Sequence, residues 1–400
     1  MKKKILIVNH AMEIGGAERA LLGLLNSFDF NKYDVDLFLA RHEGELFEFI
    51  PKEVNILEEN QANCLATPMK KLLMAKKFKM LYGRLKAKVL AKKSVKKLGL
   101  GVDNQVEITY SHKYTYKYID FINSNTEYDL AISFLTPHYI CMNKCNAKKK
   151  IAWIHTDYST IDIDVYTELE IWSKYDYIVS ISDQCTKSFL SKLPSLKSKI
   201  IRIDNIITNE MINKQADQYE VCEYSNKELN ILSVGRLTTA KNFDNVPEIA
   251  SILLQKGLKF KWFIIGFGQC ENIIKEKIVE YKMQDYVILL GKKNNPYPYI
   301  KWCDFYIQPS RYEGKAVTVR EAQILEKPVI ITRFPTSKSQ LEDGVDGIIV
   351  EMDNKECAAG IYNFVTDEER VNEIKRNLHN IQYSNEEEVN KLYDLIREDL

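Results

Sequence analysis

A chain of 400 residues with 45% apolar, 28% charged and 11% aromatic residues has the composition of a soluble globular protein. Single cores stop growing at about 250–300 residues, so the length predicts two domains. The net charge of +1 is unevenly divided: residues 1–205 carry 31 Lys and Arg against 24 Asp and Glu, whereas residues 206–400 carry 25 against 31. A basic front half indicates that one domain faces an anionic surface.

The eight cysteines are scattered, and only Cys141 and Cys145 lie close together in the sequence. No His or Cys cluster accompanies them at zinc-ligand spacing, so we expect free, buried thiols in a reducing compartment. The basic N-terminus is followed by too short an apolar run for a secretory signal. No stretch approaches the ~20 apolar residues of a membrane span. These features predict a cytoplasmic protein.

The front half begins with an apolar strand at residues 5–8, a loop containing Gly15 and Gly16, and a helix from residue 17. Glycines between a strand and a helix let a phosphate or a sugar approach backbone N–H groups. A plain loop-to-helix connection explains the same pattern equally well. Further strands follow, and we expect residues 1–205 to form a doubly wound, Rossmann-like domain.

Residues 69–98 hold twelve Lys and Arg residues and no acid. The apolar residues of this segment recur at helical spacing on one face, namely at Met74, Phe78, Leu81, Leu85 and Val89. A basic amphipathic helix of this kind fits an anionic membrane surface. The alternative is a solvated basic helix whose apolar stripe packs on its own domain. No nucleic-acid-binding motif accompanies the charge, so we expect no nucleic-acid partner.

Two later strands of this half, at residues 129–134 and 148–154, end in polar residues. His155 directly follows the second, which is where an α/β sheet carries catalytic side chains. A single histidine has a structural role as often as a chemical one. The polar stretch 206–228 is the predicted linker to the back half.

The back half repeats the strand–loop–helix pattern, and several of its strands end at a glycine, namely Gly235, Gly266 and Gly291. We expect residues 229–380 to form a second Rossmann-like domain, and residues 381–400 to form a helix that packs back towards the first. Two such domains meeting at the carboxyl ends of their strands make a cleft.

The stretch 309–332 reads as a loop, a helix and a strand, and it carries two carboxylates eight residues apart. Glu313 lies in the loop, and Glu321 lies about two turns into the predicted helix. A loop at the carboxyl end of a parallel strand, followed by a helix N-terminus, is a typical site for nucleotides and phosphates. Arg236 and Lys241 follow another strand and suit a diphosphate, Arg as a fork and Lys as a point charge.

These landmarks, in this order and at this spacing, resemble the retaining nucleotide-sugar glycosyltransferases of family 4, which have the GT-B fold. The resemblance rests on Gly15-Gly16-Ala-Glu-Arg, His155, Gly235-Arg236-Leu with Lys241-Asn242, Gly266-Phe-Gly268, and the pair Glu313 and Glu321. It covers nearly the whole chain except the basic segment 69–98. The stretch from Arg311 to Thr332 is most similar to bacterial capsule and exopolysaccharide transferases.

The resemblance implies an α/β GT-B architecture of two doubly wound domains facing across a cleft, in which residues 1–205 bind the acceptor and residues 229–380 bind the nucleotide sugar. It also implies roles for single residues. His155, Glu313, Arg236 and Lys241 would be catalytic, with Glu313 holding the donor sugar and the two cations stabilising the leaving diphosphate. Glu321 would accept hydrogen bonds from the ribose hydroxyls. The remaining donor-binding residues would be Gly15, Gly16, Gly266, Gly291, Lys292, Gly314, Lys315, Ala316 and Val317.

The implied reaction moves a sugar from a nucleotide-diphosphate sugar, most simply a UDP-sugar, to a glycan or a lipid-linked acceptor in bacterial cell-surface polysaccharide synthesis. We expect no cofactor and no metal, because Asp34-Val-Asp36 lies in a strand and Asp162-Ile-Asp164 in a helix-prone run, neither of them a metal-binding turn. The expected location is the inner face of the cell membrane, through residues 69–98. Two alternatives are a sugar-nucleotide 2-epimerase on the same fold and a non-catalytic membrane- or polysaccharide-binding module.

Overall fold

A computed structural model describes residues 2–101, 104–313 and 316–397 of the chain. The chain divides into two compact units. The first contains the residues up to Ile207 and the described residues from Asn385 onward, and the second contains Thr208–Ser384.

The first unit is built on a seven-stranded parallel sheet with the strand order β3-β2-β1-β4-β5-β6-β7. Its strands are β1 Lys3–Asn9, β2 Tyr33–Leu39, β3 Asn55–Leu57, β4 Glu127–Ser133, β5 Asn146–Ile154, β6 Tyr177–Ser180 and β7 Ile200–Arg202. Its helices are α1 Gly16–Asn26, α2 Met69–Met74, α3 Phe78–Leu98, α4 Val106–Thr115, α5 Tyr139–Lys144, α6 Val165–Trp172 and α7 Asp183–Lys192. The central strands β1 and β4 are buried over most of their length, which is why their sequences are continuous apolar runs rather than alternating ones.

The second unit is built on a six-stranded sheet with the order β10-β9-β8-β11-β12-β13, again all parallel. Its strands are β8 Leu229–Val234, β9 Phe260–Ile265, β10 Val287–Gly291, β11 Phe305–Gln308, β12 Val329–Thr332 and β13 Ile348–Val350. Its helices are α8 Asn209–Ala216, α9 Val246–Gln255, α10 Glu271–Glu280, α11 Tyr297–Trp302, α12 Val317–Ile324, α13 Asn354–Val365 and α14 Glu368–Asn380. Both sheets are therefore doubly wound and Rossmann-like, as the sequence predicts.

The strand order of this sheet reverses between β8 and β11, so the loops after these two strands meet at a topological switch point. Residues 235–245 follow β8, and residues 309–316 follow β11. Arg311 N donates to Ala240 O at 2.8 Å, so the two loops are also joined through the backbone. The sheet topology therefore brings together residues that are about seventy positions apart in the sequence.

Residues 206–228, predicted to be a linker, include helix α8, which lies in the second unit. Met211 and Ile212 are buried, and Asn295 donates to Gln215 O at 2.7 Å in front of α11. Two buried apolar residues are enough to dock one short helix, which the polar composition of the stretch concealed. The linker prediction is therefore wrong for residues 209–216.

The chain ends with a short 3₁₀ turn, Glu386–Val389, and helix α15, Asn390–Arg397. Tyr393 of α15 stacks on Tyr33 with ring centroids 4.1 Å apart, and its hydroxyl accepts from Asp29 N at 2.9 Å. Lys149 donates to Leu395 O at 2.7 Å. The last helix is therefore an integral part of the first unit.

The basic segment 69–98 forms two helices, α2 and α3, rather than one. The break falls at Lys76, whose backbone has a left-handed φ of 56°. Leu81, which the sequence places on the exposed apolar stripe, is half-buried and packs against the core of the first unit. Tyr82 takes its place on the exposed face.

No helix in the described part of the chain is long and apolar enough to cross a membrane. All eight cysteines are free, and six of them are buried.

Candidate functional site

The centre of the candidate site in the second unit is an ion pair between two predicted residues. Lys241 Nζ lies 2.5 Å from Glu313 Oε1, and both side chains are largely buried. Ser310 Oγ donates to the same carboxylate oxygen at 2.6 Å, and Thr336 Oγ1 donates to Glu313 O at 2.6 Å. The Glu313 carboxylate is thus fixed at the end of β11, with one ammonium group beside it.

A second ion pair holds the two loops of this site together. Arg311 makes two parallel hydrogen bonds to the Asp244 carboxylate, both at 2.8 Å, and a third to Thr239 O at 2.6 Å. Burial alone would raise the pKa of Asp244, but the Arg311 hydrogen bonds and charge hold that pKa below its usual value. Since Arg311 follows β11 and Asp244 follows β8, this fork–fork contact fixes Lys241 relative to Glu313.

The glycines of the neighbouring loops are needed for close backbone packing. A Cβ on Gly266 would lie 1.9 Å from Gly235 O, and a Cβ on Gly268 would lie 2.5 Å from Leu237 O. Backbone hydrogen bonds join the same loops, from Gly235 N to Ile265 O and from Gly266 N to Gly291 O. Gly291 has a left-handed φ of 69°. The loops after β8, β9 and β10 are therefore one rigid edge.

Arg236 and Lys292 lie on this edge with exposed side chains. Lys292 Nζ lies 5.6 Å from the centre of the Phe267 ring. Lys241, in contrast, passes over Gly235, where an added Cβ would lie 3.3 Å from Lys241 Cε. Lys241 is thus held rigidly beside a carboxylate, whereas the Arg236 side chain is accessible to an anionic ligand.

Glu321 lies on α12 and is almost completely buried. Tyr297 at the start of α11 donates its hydroxyl to Glu321 Oε1 at 2.8 Å. Burial, and after it the charges of Glu321 and Glu313, raise the pKa of the buried Tyr306 hydroxyl. The charges of both carboxylates therefore reach one buried tyrosine, although the two residues occupy different elements.

The N-terminus of α12 contains four of the predicted donor-binding residues. Gly314 and Lys315 lie outside the described residues. Ala316 precedes the first residue of the helix, Val317, and its N–H donates to Gln340 Oε1 at 2.8 Å. The Ala316 N–H is therefore already paired with Gln340, and a ligand would have to displace that side chain to use it.

His155 lies in the first unit, directly after β5. Its ring stacks beside Trp153 and contacts Phe134, with centroids 6.1 and 4.4 Å away. The Nε2 atom is buried, and it has no hydrogen-bond partner among the described residues. Burial lowers the pKa of His155 to about 3, so its imidazole is neutral at physiological pH. A neutral ring with an unused nitrogen suits hydrogen bonding to a ligand.

Three further histidines, which the sequence did not single out, lie near the same carboxyl edge of the first sheet. His10 follows β1, and its Nε2 is 2.9 Å from Thr136 O. His112 on α4 has its ring centroid 5.4 Å from that of His10, and His138 after β4 has Nδ1 2.8 Å from Ser133 Oγ. Burial lowers the pKa of all three, and it does so most for His112 and His138.

Gly15 and Gly16 lie at the N-terminus of α1, as predicted. Gly15 is the residue before the helix, and a Cβ there would lie 2.1 Å from the Glu18 carboxylate. The site of a Gly15 side chain is thus taken by Glu18. Gly16 is exposed, and an added Cβ would meet nothing within 4 Å. Because Glu18 is a flexible side chain that can move aside, neither glycine is required for close packing against the backbone.

Within residues 2–101, 104–313 and 316–397, no group of three or more His, Cys, Asp and Glu side chains is placed to hold a metal ion. Asp36 and Asp164 instead serve the fold. Asp36 accepts from Tyr128 at 2.6 Å, and Asp164 accepts from Thr167 N at 3.2 Å as the N-cap of α6.

Comparison with known families decides what kind of protein carries this site. Residues 218–380, most of the second unit, match the sequence model of the family described as glycosyl transferases group 1. The chain is a glycosyltransferase. Its GT-B fold is shown by solved structures of low sequence identity but full coverage. Anabaena Alr3699/HepE in complex with UDP has a TM-score of 0.59 at 15% identity, and the superposition covers 100% of both chains. Staphylococcus aureus TarM has a TM-score of 0.65 at 16% identity, over 98% of this chain and 99% of that one.

Similar sequences include transferases with known and unknown substrates. The chain is 24% identical over 354 residues to the N-acetylgalactosamine-N,N'-diacetylbacillosaminyl-diphospho-undecaprenol 4-alpha-N-acetylgalactosaminyltransferase of Campylobacter jejuni. This alignment covers 88% of this chain and 87% of the relative. It is 26% identical to the capsular polysaccharide biosynthesis glycosyltransferase CapM of Staphylococcus aureus, over 52% of this chain and 62% of CapM. An uncharacterized glycosyltransferase of Methanocaldococcus jannaschii is 27% identical, over 57% of this chain and 61% of the relative.

Proposed function

We propose that the glycosyltransferase is a retaining enzyme of the family 4 type, which moves a sugar from a UDP-sugar to a glycan or lipid-linked acceptor in cell-surface polysaccharide synthesis. The observation that carries the proposal is the fixed pair of Lys241 and Glu313 at the switch point of the second sheet. The names of the relatives support the substrate class, since they include a diphospho-undecaprenol transferase and a capsule transferase. The UDP complex of HepE supports the donor base.

In the proposed reaction, the bond between the anomeric carbon and the β-phosphate oxygen breaks, and the acceptor hydroxyl forms a new bond on the same face. The hydroxyl proton passes to the departing diphosphate. Lys241 and Arg236 stabilise the charge that develops on that diphosphate, which is where fixed cations lower the barrier most. Glu313 accepts hydrogen bonds from the donor sugar and so orients its anomeric carbon. Glu321 accepts from the ribose hydroxyls.

We assign His155 the contact to the donor sugar from the first unit. Its neutral imidazole and unused Nε2 support a hydrogen-bonding role rather than a role as a permanent cation. No protein nucleophile is assigned, because the acceptor hydroxyl attacks on the face from which the diphosphate leaves, and no protein base is assigned, because that diphosphate receives the proton.

The proposal includes no resident cofactor or metal. In metal-dependent transferases a divalent cation neutralises the diphosphate, and here Lys241 and Arg236 carry the corresponding charge. Turnover should therefore be unchanged by an excess of EDTA. A loss of activity that added Mg²⁺ or Mn²⁺ restores would contradict this part of the proposal.

A panel of sugar nucleotides tests the proposal against its alternatives. A transferase releases the nucleoside diphosphate and forms an acceptor glycoside, whereas a 2-epimerase isomerises the donor and a binding module leaves it intact. The anomeric configuration of donor and product, read by NMR, tests retention. Inversion of configuration, or isomerisation without transfer, would overturn the proposed reaction.

We also propose that helix α3 docks the first unit on an anionic membrane, where a lipid-linked acceptor is found. One face of α3 is buried and carries Met80 and the small residues Gly83, Ala87 and Ala91. A Cβ on Gly83 would lie 2.9 Å from Thr115 Cγ2, so this face packs closely against the end of α4.

The opposite face of α3 is apolar as well. Phe78, Tyr82, Leu85 and Val89 recur at helical spacing about half a turn away from the buried face, and they are 59%, 61%, 47% and 66% exposed. A helix that covers its own domain needs only one apolar face. The second face is therefore free to enter the headgroup region of a bilayer.

The lysines of α3 complement such a bilayer. Lys88, Lys92 and Lys93 are exposed beside the apolar stripe, and residues 69–98 contain no acid. Attraction to anionic lipid amounts to about 1 kcal/mol for each basic residue near the surface, so several lysines together support reversible binding. Salt should weaken this attraction, because it is screened over a Debye length of about 8–10 Å.

Co-sedimentation with vesicles tests the docking. We expect binding to vesicles that contain phosphatidylglycerol at low salt, little binding to neutral vesicles, and loss of binding when Lys88, Lys92 and Lys93 are changed to Glu. A matched variant changes three exposed lysines elsewhere on the first unit to Glu, namely Lys52, Lys187 and Lys197. Equal binding to both kinds of vesicle, or equal loss in the two triple variants, would overturn the assignment to α3.

A further inference from the structure

The amino edge of the second sheet, opposite the proposed donor site, contains a basic cleft with a volume of about 660 Å³. Its wall is formed by residues that come just before strands β8, β9, β11 and β12, together with one residue of α14. Five lysines line it, against two carboxylates: Lys227, Lys259, Lys301, Lys327 and Lys375. We name it the lysine cleft.

The two carboxylates of the lysine cleft are already engaged. Asp304 accepts from the backbone N of Asn230 at 2.7 Å and thereby fixes the start of β8 to β11. Glu228 pairs with Lys261 at 3.4 Å, outside the cleft. Asp304 keeps its charge and so works against the burial that lowers the pKa of the neighbouring Lys327, but the five lysines still outnumber the two carboxylates.

Of the cleft lysines, only Lys301 forms an ion pair within the described part of the chain, and its partner is Asp217. Lys227, Lys259 and Lys375 are exposed, whereas Lys327 is half-buried. Burial lowers the pKa of Lys327, and the charge of Lys375 lowers it further. Two ammonium groups that repel each other at the edge of a cleft would both gain from a bound anion.

An exposed indole ring lies in the same cleft. Trp302 at the end of α11 is 56% exposed, whereas Trp153, Trp172 and Trp262 are almost fully buried. An indole in water carries an apolar face with no partner. Its position between ammonium groups suits a ligand that presents both a flat apolar face and negative charge.

We propose that the lysine cleft binds an anionic saccharide, with Trp302 stacked on a sugar ring and the lysines contacting its carboxylates or phosphates. Sugar rings have C–H faces that pack on indole, and their equatorial acidic substituents project outward from the ring edge, where lysines of the same cleft can contact them. The cleft and the donor site lie at opposite edges of one sheet, so both can be occupied at once. The choice of a saccharide over other anions rests on the proposed function, since a polysaccharide transferase works among such chains.

Quenching of tryptophan fluorescence by acrylamide tests the proposal without any turnover. Because three of the four tryptophans are buried, the quenchable emission comes from Trp302. We expect trigalacturonic acid to protect this emission in the intact protein, while maltotriose and inorganic phosphate do not. Lys375→Gln should weaken the protection about tenfold, since it removes one charge-assisted contact. Lys375 is exposed, so this variant keeps the fold.

Matched variants separate the cleft from general charge. Lys355→Gln removes an exposed lysine at the start of α13 and should leave the protection unchanged. Trp302→Phe should remove the quenchable emission and weaken trigalacturonate binding measured by calorimetry. Protection by maltotriose or by phosphate alone, tighter binding of a short oligothymidylate, or equal effects of Lys375→Gln and Lys355→Gln would each overturn the proposal. None of these results depends on the donor site, so a failure here is distinct from a failure of the proposed reaction.

Discussion

Replacement of Lys241 by alanine tests the proposed chemistry most directly. Lys241 Nζ lies 2.5 Å from Glu313 Oε1, and its stem passes over Gly235 at the end of β8. The side chain is thus held in one place, so it can stabilise charge on a diphosphate without reorganising. The variant removes that positive charge and leaves Glu313 with Ser310 as its remaining side-chain partner.

The size of the effect follows from what a fixed charge contributes in a site with little water. Loss of one donor that stabilises developing charge costs about 3–4 kcal/mol in the transition state. Turnover should therefore fall by roughly 10²–10³. Removal of one partner of a buried ion pair leaves the other charge uncompensated, so the variant should also lose up to about 3–5 kcal/mol of stability, which the Ser310 hydrogen bond offsets in part.

Initial rates of nucleoside diphosphate release measure the effect, and thermal unfolding shows whether the fold is intact. Lys275→Ala is the matched control, since Lys275 also pairs with a carboxylate, that of Glu271, at 2.7 Å, but on the surface of α10. Turnover of the Lys241 variant within a few-fold of the wild-type rate, with the fold intact, would refute the reasoning. Arg236→Ala should have an effect of similar size, because Arg236 is the other cation of the proposed clamp.

Glu321→Gln should weaken nucleotide binding while Glu313→Gln lowers turnover, and titration calorimetry with steady-state rates separates the two effects; equal losses of affinity would contradict the division. Tyr297→Phe removes the hydroxyl that donates to Glu321, so we expect about a three- to tenfold loss of nucleotide affinity with turnover nearly unchanged. Buried His112 and His138 have pKa values lowered far below 6.5, so the unfolded chain binds protons that the folded chain does not. The free energy of unfolding should stay constant above pH 6.5 and fall below it, by up to about 1.4 kcal/mol per pH unit for each histidine. Denaturant unfolding at pH 7 and pH 5 measures the change, and equal midpoints at the two pH values would rule out the burial argument.

The sequence was sufficient to predict both sheets because their strands are buried on two faces. Such strands are continuous apolar runs, and a glycine or a polar loop ends each of them. The ends of those apolar runs predicted the loops that begin near Gly235, Gly266 and Gly291. They also predicted the position of Glu313 in the loop after β11. The polar composition of residues 206–228 failed as a guide, because a few buried residues, among them Met211 and Ile212, are enough to hold α8 in place.

Contacts between residues that are distant in the sequence could not be predicted from it. The Arg311–Asp244 contact joins positions 67 residues apart, and nothing in the local pattern of either loop indicates it. Tyr297 is hidden in the same way, since a tyrosine at a helix start is an ordinary core residue until its hydroxyl is seen on Glu321. Sequence periodicity placed the apolar stripe of α3 correctly at Phe78, Leu85 and Val89. It could not show that this stripe is exposed and that the opposite face is the buried one.

The different surroundings of the two carboxylates explain why they should have different roles. Glu313 lies in a loop beside the ammonium group of Lys241, so charge that develops on a leaving group at Lys241 also changes the electrostatic field at Glu313. We therefore expect its hydrogen bonds to a donor sugar to strengthen as the leaving group gains charge, which is the condition for an effect on turnover. Glu321 lies on a helix, is almost completely buried, and is held by the neutral hydroxyl of Tyr297. We therefore expect Glu321 to bind substrate and transition state equally well and to contribute to affinity alone.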